Sequence, residues 1–330
     1  MKKTLLIMAI ASLTLAACGS KQQTAAADPA TTDNASTVYV TCQITPESLV
    51  KIYQALGRKA EGRVAVKIST GESEKTGYLR PDFIKPLVDE VHGTIVECNA
   101  AYHGSRFYSE DHWKAIKERG FLDIAKVDIM DEEGDMKIPV HDSTHLKYNI
   151  VGSHMANYDF MINLAHYKGH QMGGFGGVLK NASIGVASRN GKAYIHSAGF
   201  TSDPEECWSH TGDQDGFIES MAAAAQAVHN YFDNGNKILY IAVMNKMSID
   251  CDCNANPQQP LIADYGIIAS LDPVALDQAA YDIVSQIHND EHNNTKPLLD
   301  RIAKQHGTHI MEWGEHIGLG SRTYKLVSID

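Results

Sequence analysis

The chain has 330 residues, long enough for one large or two medium domains with a sizeable core. Hydrophobic residues make up 43% and charged residues 21%, which excludes a disordered, collagen-like or polytopic membrane protein. With 40 acidic against 29 basic residues the net charge is −11, a surface that repels phosphate backbones and excludes nucleic acid as a partner.

Residues 1–17 read as a lipoprotein signal peptide. Lys2 and Lys3 give a positive start, and Leu5 to Leu15 form an apolar run too short to span a bilayer comfortably. The run ends in Leu15-Ala16-Ala17-Cys18-Gly19, which resembles the bacterial lipobox, so Cys18 is the expected lipidation site. Residues 18–36 hold almost no large apolar group and read as a flexible tether. The expected location is the bacterial cell envelope, facing the periplasm or the surface, with the membrane met only through the lipid anchor. Cys42, Cys98, Cys207, Cys251 and Cys253 follow. An odd number of cysteines in an oxidising compartment leaves one thiol unpaired unless a metal takes some.

Residues 37–330 read as a single α/β body. Arg63 to Ser69 predicts a strand, Pro81 to His92 a helix and Gly93 to Asn99 a strand. A helix opened by Ser109 as its cap comes next, with Glu110 and Asp111 in the first turn. Tyr158 to Ala165 is apolar on both faces, as a central strand should be. An Ala-rich helix over Phe217 to Phe232 leads into a strand at Lys237 to Met244. A second strand, Gly266 to Ser270, leads into a helix capped by Asp272 with Pro273 at its first position. Short helices near 296–305 and 308–317 precede a last strand at Thr323 to Ile329. The alternation predicts a largely parallel or mixed sheet flanked by helices, with a bilobed shape as one form of it.

Sixteen histidines suit metal or proton chemistry. The densest segment for chemistry is 163–199. His166 and His170 lie just beyond a buried strand, where α/β sites usually sit, and are the expected catalytic residues. Gly173, Gly174, Gly176 and Gly177 let backbone amides approach a ligand, and Lys180 and Asn181 follow as cofactor- or anion-binding candidates. The bland alternative is a glycine-rich turn with solvated histidines. A second cluster, Cys251-Asp252-Cys253 with Cys207 and His210 upstream, offers thiolates and imidazole for zinc or an iron–sulfur centre. Its alternative is a disulfide between one of the pair and another cysteine such as Cys207. Lys67 in a strand and Arg80 before a helix complete the binding candidates, able to converge with Lys180 on an anionic ligand. His103 and Arg106 read as surface groups of a loop.

Val64-Ala65-Val66-Lys67, Lys180-Asn181, Cys251-Asp252-Cys253 and the run from Gly266 through Asp272-Pro-Val-Ala-Leu-Asp277 resemble domain-of-unknown-function family 362, together with Gly318-Leu319-Gly320-Ser321. Members of that family are often labelled uncharacterised Fe–S centre proteins, so the resemblance implies an iron–sulfur centre, although the inserted ferredoxin segment of many relatives is missing here. A more distant resemblance is to the lactate racemase family, which uses a nickel-pincer nucleotide. His170, Lys180 and His196 fall at matching spacings. The resemblance implies an acid/base role for His170, a cofactor anchor or phosphate partner in Lys180 and a metal ligand in His196. The run Phe175 to Lys180 departs from the racemase Ser-Gly-Gly-Arg-Lys pattern, and Ser105 stands where a second catalytic histidine belongs. A shared scaffold is therefore expected before a shared reaction, and a metal ion or iron–sulfur centre before the nucleotide.

These readings make the chain an extracytoplasmic lipoprotein with a His/Lys/Gly pocket, a metal-dependent isomerase or oxidoreductase acting on a small anionic ligand. The alternatives are a metal-carrying or electron-transfer protein centred on Cys207, Cys251 and Cys253, and a non-catalytic binding lipoprotein.

Overall fold

Apolar runs too hydrophobic for one wet face build the centre of the molecule. The computed structural model describes residues 35–330, so the signal peptide, Cys18 and nearly all of the tether lie outside the described residues. The chain runs through β1 (Ser36–Thr41), α1 (Pro46–Ala55), β2 (Val64–Lys67), α2 (Pro81–Glu90), β3 (Thr94–Glu97) and α3 (Ser109–Glu118). Next come β4 (Val127–Ile129), β5 (Asp135–Ile138), β6 (Asn149–Gly152), β7 (Phe160–His166), β8 (Lys168–His170) and β9 (Gly174–Gly176). The helices α4 (Val178–Ala182), α5 (Arg189–His196) and α6 (Gln214–Tyr231) precede β10 (Ile238–Met244) and β11 (Gly266–Ser270). Then α7 (Pro273–Gln286), α8 (Lys296–Lys304), α9 (His309–His316) and β12 (Tyr324–Ser328) close the chain.

Eight strands form one sheet in the order β12-β1-β11-β10-β7-β2-β3-β4. Every pair is parallel except the two made by β11, which runs antiparallel to β1 and to β10. The second strand–helix unit read from the sequence is therefore inverted relative to the first. The sheet is mixed, as an α/β fold allows. Side chains of β10 alternate between two cores: Tyr240, Ala242 and Met244 pack with α4 to α7 on one face, and Leu239, Ile241 and Val243 with α1 and α2 on the other. Residues 35–330 make one compact unit. Among the described residues no helix is long and apolar enough to cross a membrane.

The helix starts show which caps were local. Asp272 accepts from the amides of Val274 and Ala275 at 2.9 and 3.0 Å, as its place before Pro273 predicts. Ser109 is not a cap: Tyr108 holds that position, and the Ser109 hydroxyl accepts instead from Asn99 Nδ2 at 2.9 Å.

The start of α4 is capped from elsewhere. Asp277, on α7, accepts from the amides of Val178 and Leu179, each at 2.9 Å. A side chain at Gly177 would strike that carboxylate, so glycine is required there. Burial pushes the Asp277 carboxyl up to about 7 against the pull of those amides. Asp277→Ala should cost about 1–3 kcal/mol in urea unfolding, the price of a lost cap with buried amides left open. A carboxyl raised from 3.8 to about 7 contributes stability at low pH and loses it as pH rises through that window. The gap between wild type and variant should therefore narrow from pH 4 to pH 8, measured on paired unfolding curves (roughly the span of the shift).

Candidate functional site

The carboxyl ends of β2, β3 and β7 place Lys67, Glu97 and His166 on the wall of a cavity of about 520 Å³. Ligands of open parallel sheets settle at such strand ends. Loops after these strands, α4, the end of α5 and the Cys251–Cys253 segment close it.

Lys67 is wholly buried, unlike a usual strand lysine. Its ammonium donates to Glu97 Oε1 at 2.9 Å, to the Ile68 carbonyl and to Asn181 Oδ1 at 3.4 Å. Glu97 Oε2 accepts from Arg106 Nη1 at 3.1 Å and from the Thr70 amide at 2.9 Å. Arg106 also donates through Nε to Glu72 at 3.1 Å and through Nη2 to the Tyr102 hydroxyl at 2.7 Å. Burial opposes the charge of Glu97, yet Lys67 and Arg106 hold the carboxyl well below the usual range. This network balances its own charges, so Lys67 acts as a strut under the cavity. Arg106, expected at the surface, is buried within it.

Lys180 is different. It sits half-buried on α4, and its ammonium has no partner among the described residues. Burial, then the positive charges of Lys168 and Arg106, push its pKa down to about 7. Gly176 leaves room for its stem, since a Cβ there would lie 3.3 Å from Lys180 Cδ. Asn181 lines the cavity but its amide is engaged: Nδ2 donates to Asn163 Oδ1 at 2.7 Å and to the Lys67 carbonyl at 3.1 Å. It ties α4 to β2 and β7.

Four histidines line the cavity: His103 is exposed and pairs with Glu205 at 3.0 Å, and the three buried ones differ in what they offer. His166 faces an acceptor at each nitrogen, Asp252 at 2.9 Å and the Asn245 carbonyl at 2.7 Å, so it orients its neighbours and leaves nothing for a ligand. His170 Nδ1 accepts from the Gly173 amide at 2.8 Å and the Met172 amide at 3.3 Å. That assigns the ring hydrogen to Nε2. His196 is the reverse: Nδ1 lies 2.6 Å from the Lys192 carbonyl and must donate to it, which leaves the Nε2 lone pair free. Burial keeps both rings neutral, His170 well below its ordinary value and His196 at about 4. The cavity thus holds one imidazole donor and one imidazole acceptor.

Cys251 and Cys253 are joined as a disulfide with each other, rather than to Cys207. They lie in a loop, where two sulfurs one residue apart can meet. A ring nitrogen of His170 and the two sulfurs lie within 4.8 Å of one another, a candidate metal-binding group. Cys207 is elsewhere, buried against the Pro204 carbonyl at 3.5 Å, with burial pushing its thiol up to about 11. His210 is exposed and stacks on Phe200 at 4.3 Å. Arg80 is also outside the cavity: it lies 3.8 Å over the Tyr78 ring and donates to the Glu74 and Thr76 carbonyls. Cys98, Tyr102, Lys168, Lys192 and Trp208 join the wall without having been singled out. Lys168 carried a signal, standing between the two named histidines. The others depend on long-range packing.

A family model described as Domain of unknown function (DUF362) matches residues 64–282. No curated protein matches the chain. Among solved structures, the lactate racemase apoprotein from Thermoanaerobacterium thermosaccharolyticum is similar at a TM-score of 0.44 and 14% identity, covering 76% of this chain and 57% of that one. A protein from Thermotoga maritima is similar at 0.36 and 12%, covering 82% of this chain and 58% of that one. This chain therefore spans under two thirds of the length of either structure. The family match covers the strands, α4 and the cysteine loop that together make the cavity, and on it this chain belongs to the DUF362 family.

Proposed function

We propose that the cavity is the active site of an enzyme that holds a small carboxylate-bearing substrate on Lys180 and moves a proton between it and the two histidines. The observation that carries this reading is the partnerless Lys180 ammonium beside two neutral imidazoles of opposite tautomer. A half-buried ammonium with no carboxylate in hydrogen-bonding contact is unfavourable until an anion arrives. His170 can give a proton from Nε2 and His196 can take one at Nε2, the two requirements of general acid–base transfer. Asn181, Lys67 and His166 hold these groups in place.

A metal-carrying role is the second reading, favoured by the grouping of His170 with Cys251 and Cys253. The donor set does not fit a metal as it stands. The sulfurs are bonded to each other, and the single lone pair of neutral His170 is already held by two backbone amides. His196 has the tautomer that a metal ligand needs. Location in the cell envelope through a lipid on Cys18 completes the proposal. Incorporation of labelled palmitate into wild type and its loss in Cys18→Ser checks that part.

Sulfate serves as the test anion for the pocket. Lys180 is charged below about 7 and neutral above it, so sulfate affinity measured by calorimetry should fall by about tenfold per pH unit above that value. Lys180→Met should abolish binding and raise Tm, with the gain largest at pH 6 and smaller at pH 9, because it removes a charge that the folded cavity disfavours (roughly the window between folded and unfolded pKa). Sulfate binding that is flat across this range, or intact in Lys180→Met, would sink the reading.

A further inference from the structure

We propose that the Cys251–Cys253 disulfide is a thiol–disulfide exchange centre for small thiols that carry a carboxylate. The proposal deepens the anion-binding reading of the cavity and rests on it for its choice of substrate.

The pair faces the same cavity as Lys180, Lys168 and Arg106. Its two sulfurs are not equivalent: Cys251 is buried and Cys253 is partly exposed. The Cys253 amide donates to Cys251 Sγ at 3.3 Å. A His170 ring nitrogen lies within 4.8 Å of both sulfurs, and the hydrogen of that ring is on Nε2. Cys251 is therefore the better leaving group, because a thiolate there keeps the Cys253 amide as a donor and shares the cavity with Lys180, Lys168 and Arg106.

The loop is also fixed where it matters. Asp252 Oδ2 lies 2.9 Å from His166 Nδ1 and 3.0 Å from Lys168 Nζ, and the Asp252 carbonyl accepts from the Glu72 amide at 2.7 Å. Pinning the residue between the cysteines keeps the sulfurs adjacent whether bonded or reduced. A glycine at 169 lets this segment pack directly on β8, since a side chain there would strike the Ile249 carbonyl.

The chemistry balances without another oxidant. A substrate thiolate attacks Cys253 Sγ, the Cys251–Cys253 bond breaks, and Cys251 leaves as a thiolate with the electron pair. A second substrate thiolate attacks the substrate sulfur of the mixed disulfide, releasing a substrate disulfide and the Cys253 thiolate. The two protons lost by the substrate thiols protonate the enzyme thiolates. Two thiols are oxidised and one protein disulfide is reduced; the reverse reaction reduces a substrate disulfide.

The test uses the full chain in detergent, with mercaptopropionate as the anionic thiol and cysteamine as the cationic one. New thiols are trapped with N-ethylmaleimide and located by peptide mass spectrometry. Cys251 and Cys253 should be reduced about tenfold faster by mercaptopropionate than by cysteamine at equal thiolate concentration, a preference that Lys180→Met removes. Cys251→Ser, whose Cys253 has lost its disulfide partner, should attack the disulfide of mercaptopropionate, release one mercaptopropionate and hold the other as a mixed disulfide on Cys253. His170→Phe should slow reduction by mercaptopropionate, and His170→Gln, which keeps a donor, should restore much of it; far-UV circular dichroism and thermal unfolding report that each variant is folded. Equal rates for the two thiols, thiols already free in the protein isolated without reductant, or a stoichiometric metal that blocks trapping would each overturn the proposal. Absence of sulfate binding with the thiol preference intact would remove the proton-transfer reading of the pocket while supporting the exchange centre.

Discussion

The carboxylate of Asp277 is the contact on which the site depends. A helix of five residues cannot hold its own shape in water, because too few hydrogen bonds offset the ordering of its backbone. Here its first amides are held by an acid from α7, far along the chain, and its far side is tied to β2 and β7 through Asn181 and Asn163. Lys180 is carried between these anchors. Its direction into the cavity is a property of the α7–α4 contact more than of its own segment.

Around that helix the molecule treats charge in two ways. Lys67, Glu97, Arg106 and Glu72 form a closed array in which each buried charge meets its opposite. Such arrays add little net stability, but they fix geometry because removing one member strands the others. Lys180 is left out of the array and faces the cavity alone. The contrast is between a balanced floor and a cation above it that no carboxylate touches.

Much of this was legible in the sequence. Strands buried on both faces, the Asp272-Pro273 start and the His/Gly/Lys segment announced themselves through local pattern, and the histidines at 166, 170 and 196 do line one cavity. What pattern could not supply was partnership at long range. Asp277 belongs to a run that resembled family 362, yet nothing in the run says that its last acid caps another helix. The antiparallel direction of β11 is invisible to hydrophobic periodicity, which is the same for either direction. Arg106 read as surface because its two glutamates, Glu72 and Glu97, arrive from other strands and loops. Cys207 and His210 looked like partners of the cysteine pair by residue type alone, and the fold keeps them apart.

The opposite tautomers of His170 and His196 are set by the main chain. The Lys192 carbonyl takes the hydrogen of one ring, and the Gly173 amide occupies the lone pair of the other. The hydrogen-bonding polarity of the cavity is thereby written into backbone groups that no side-chain substitution at positions 173 or 192 removes.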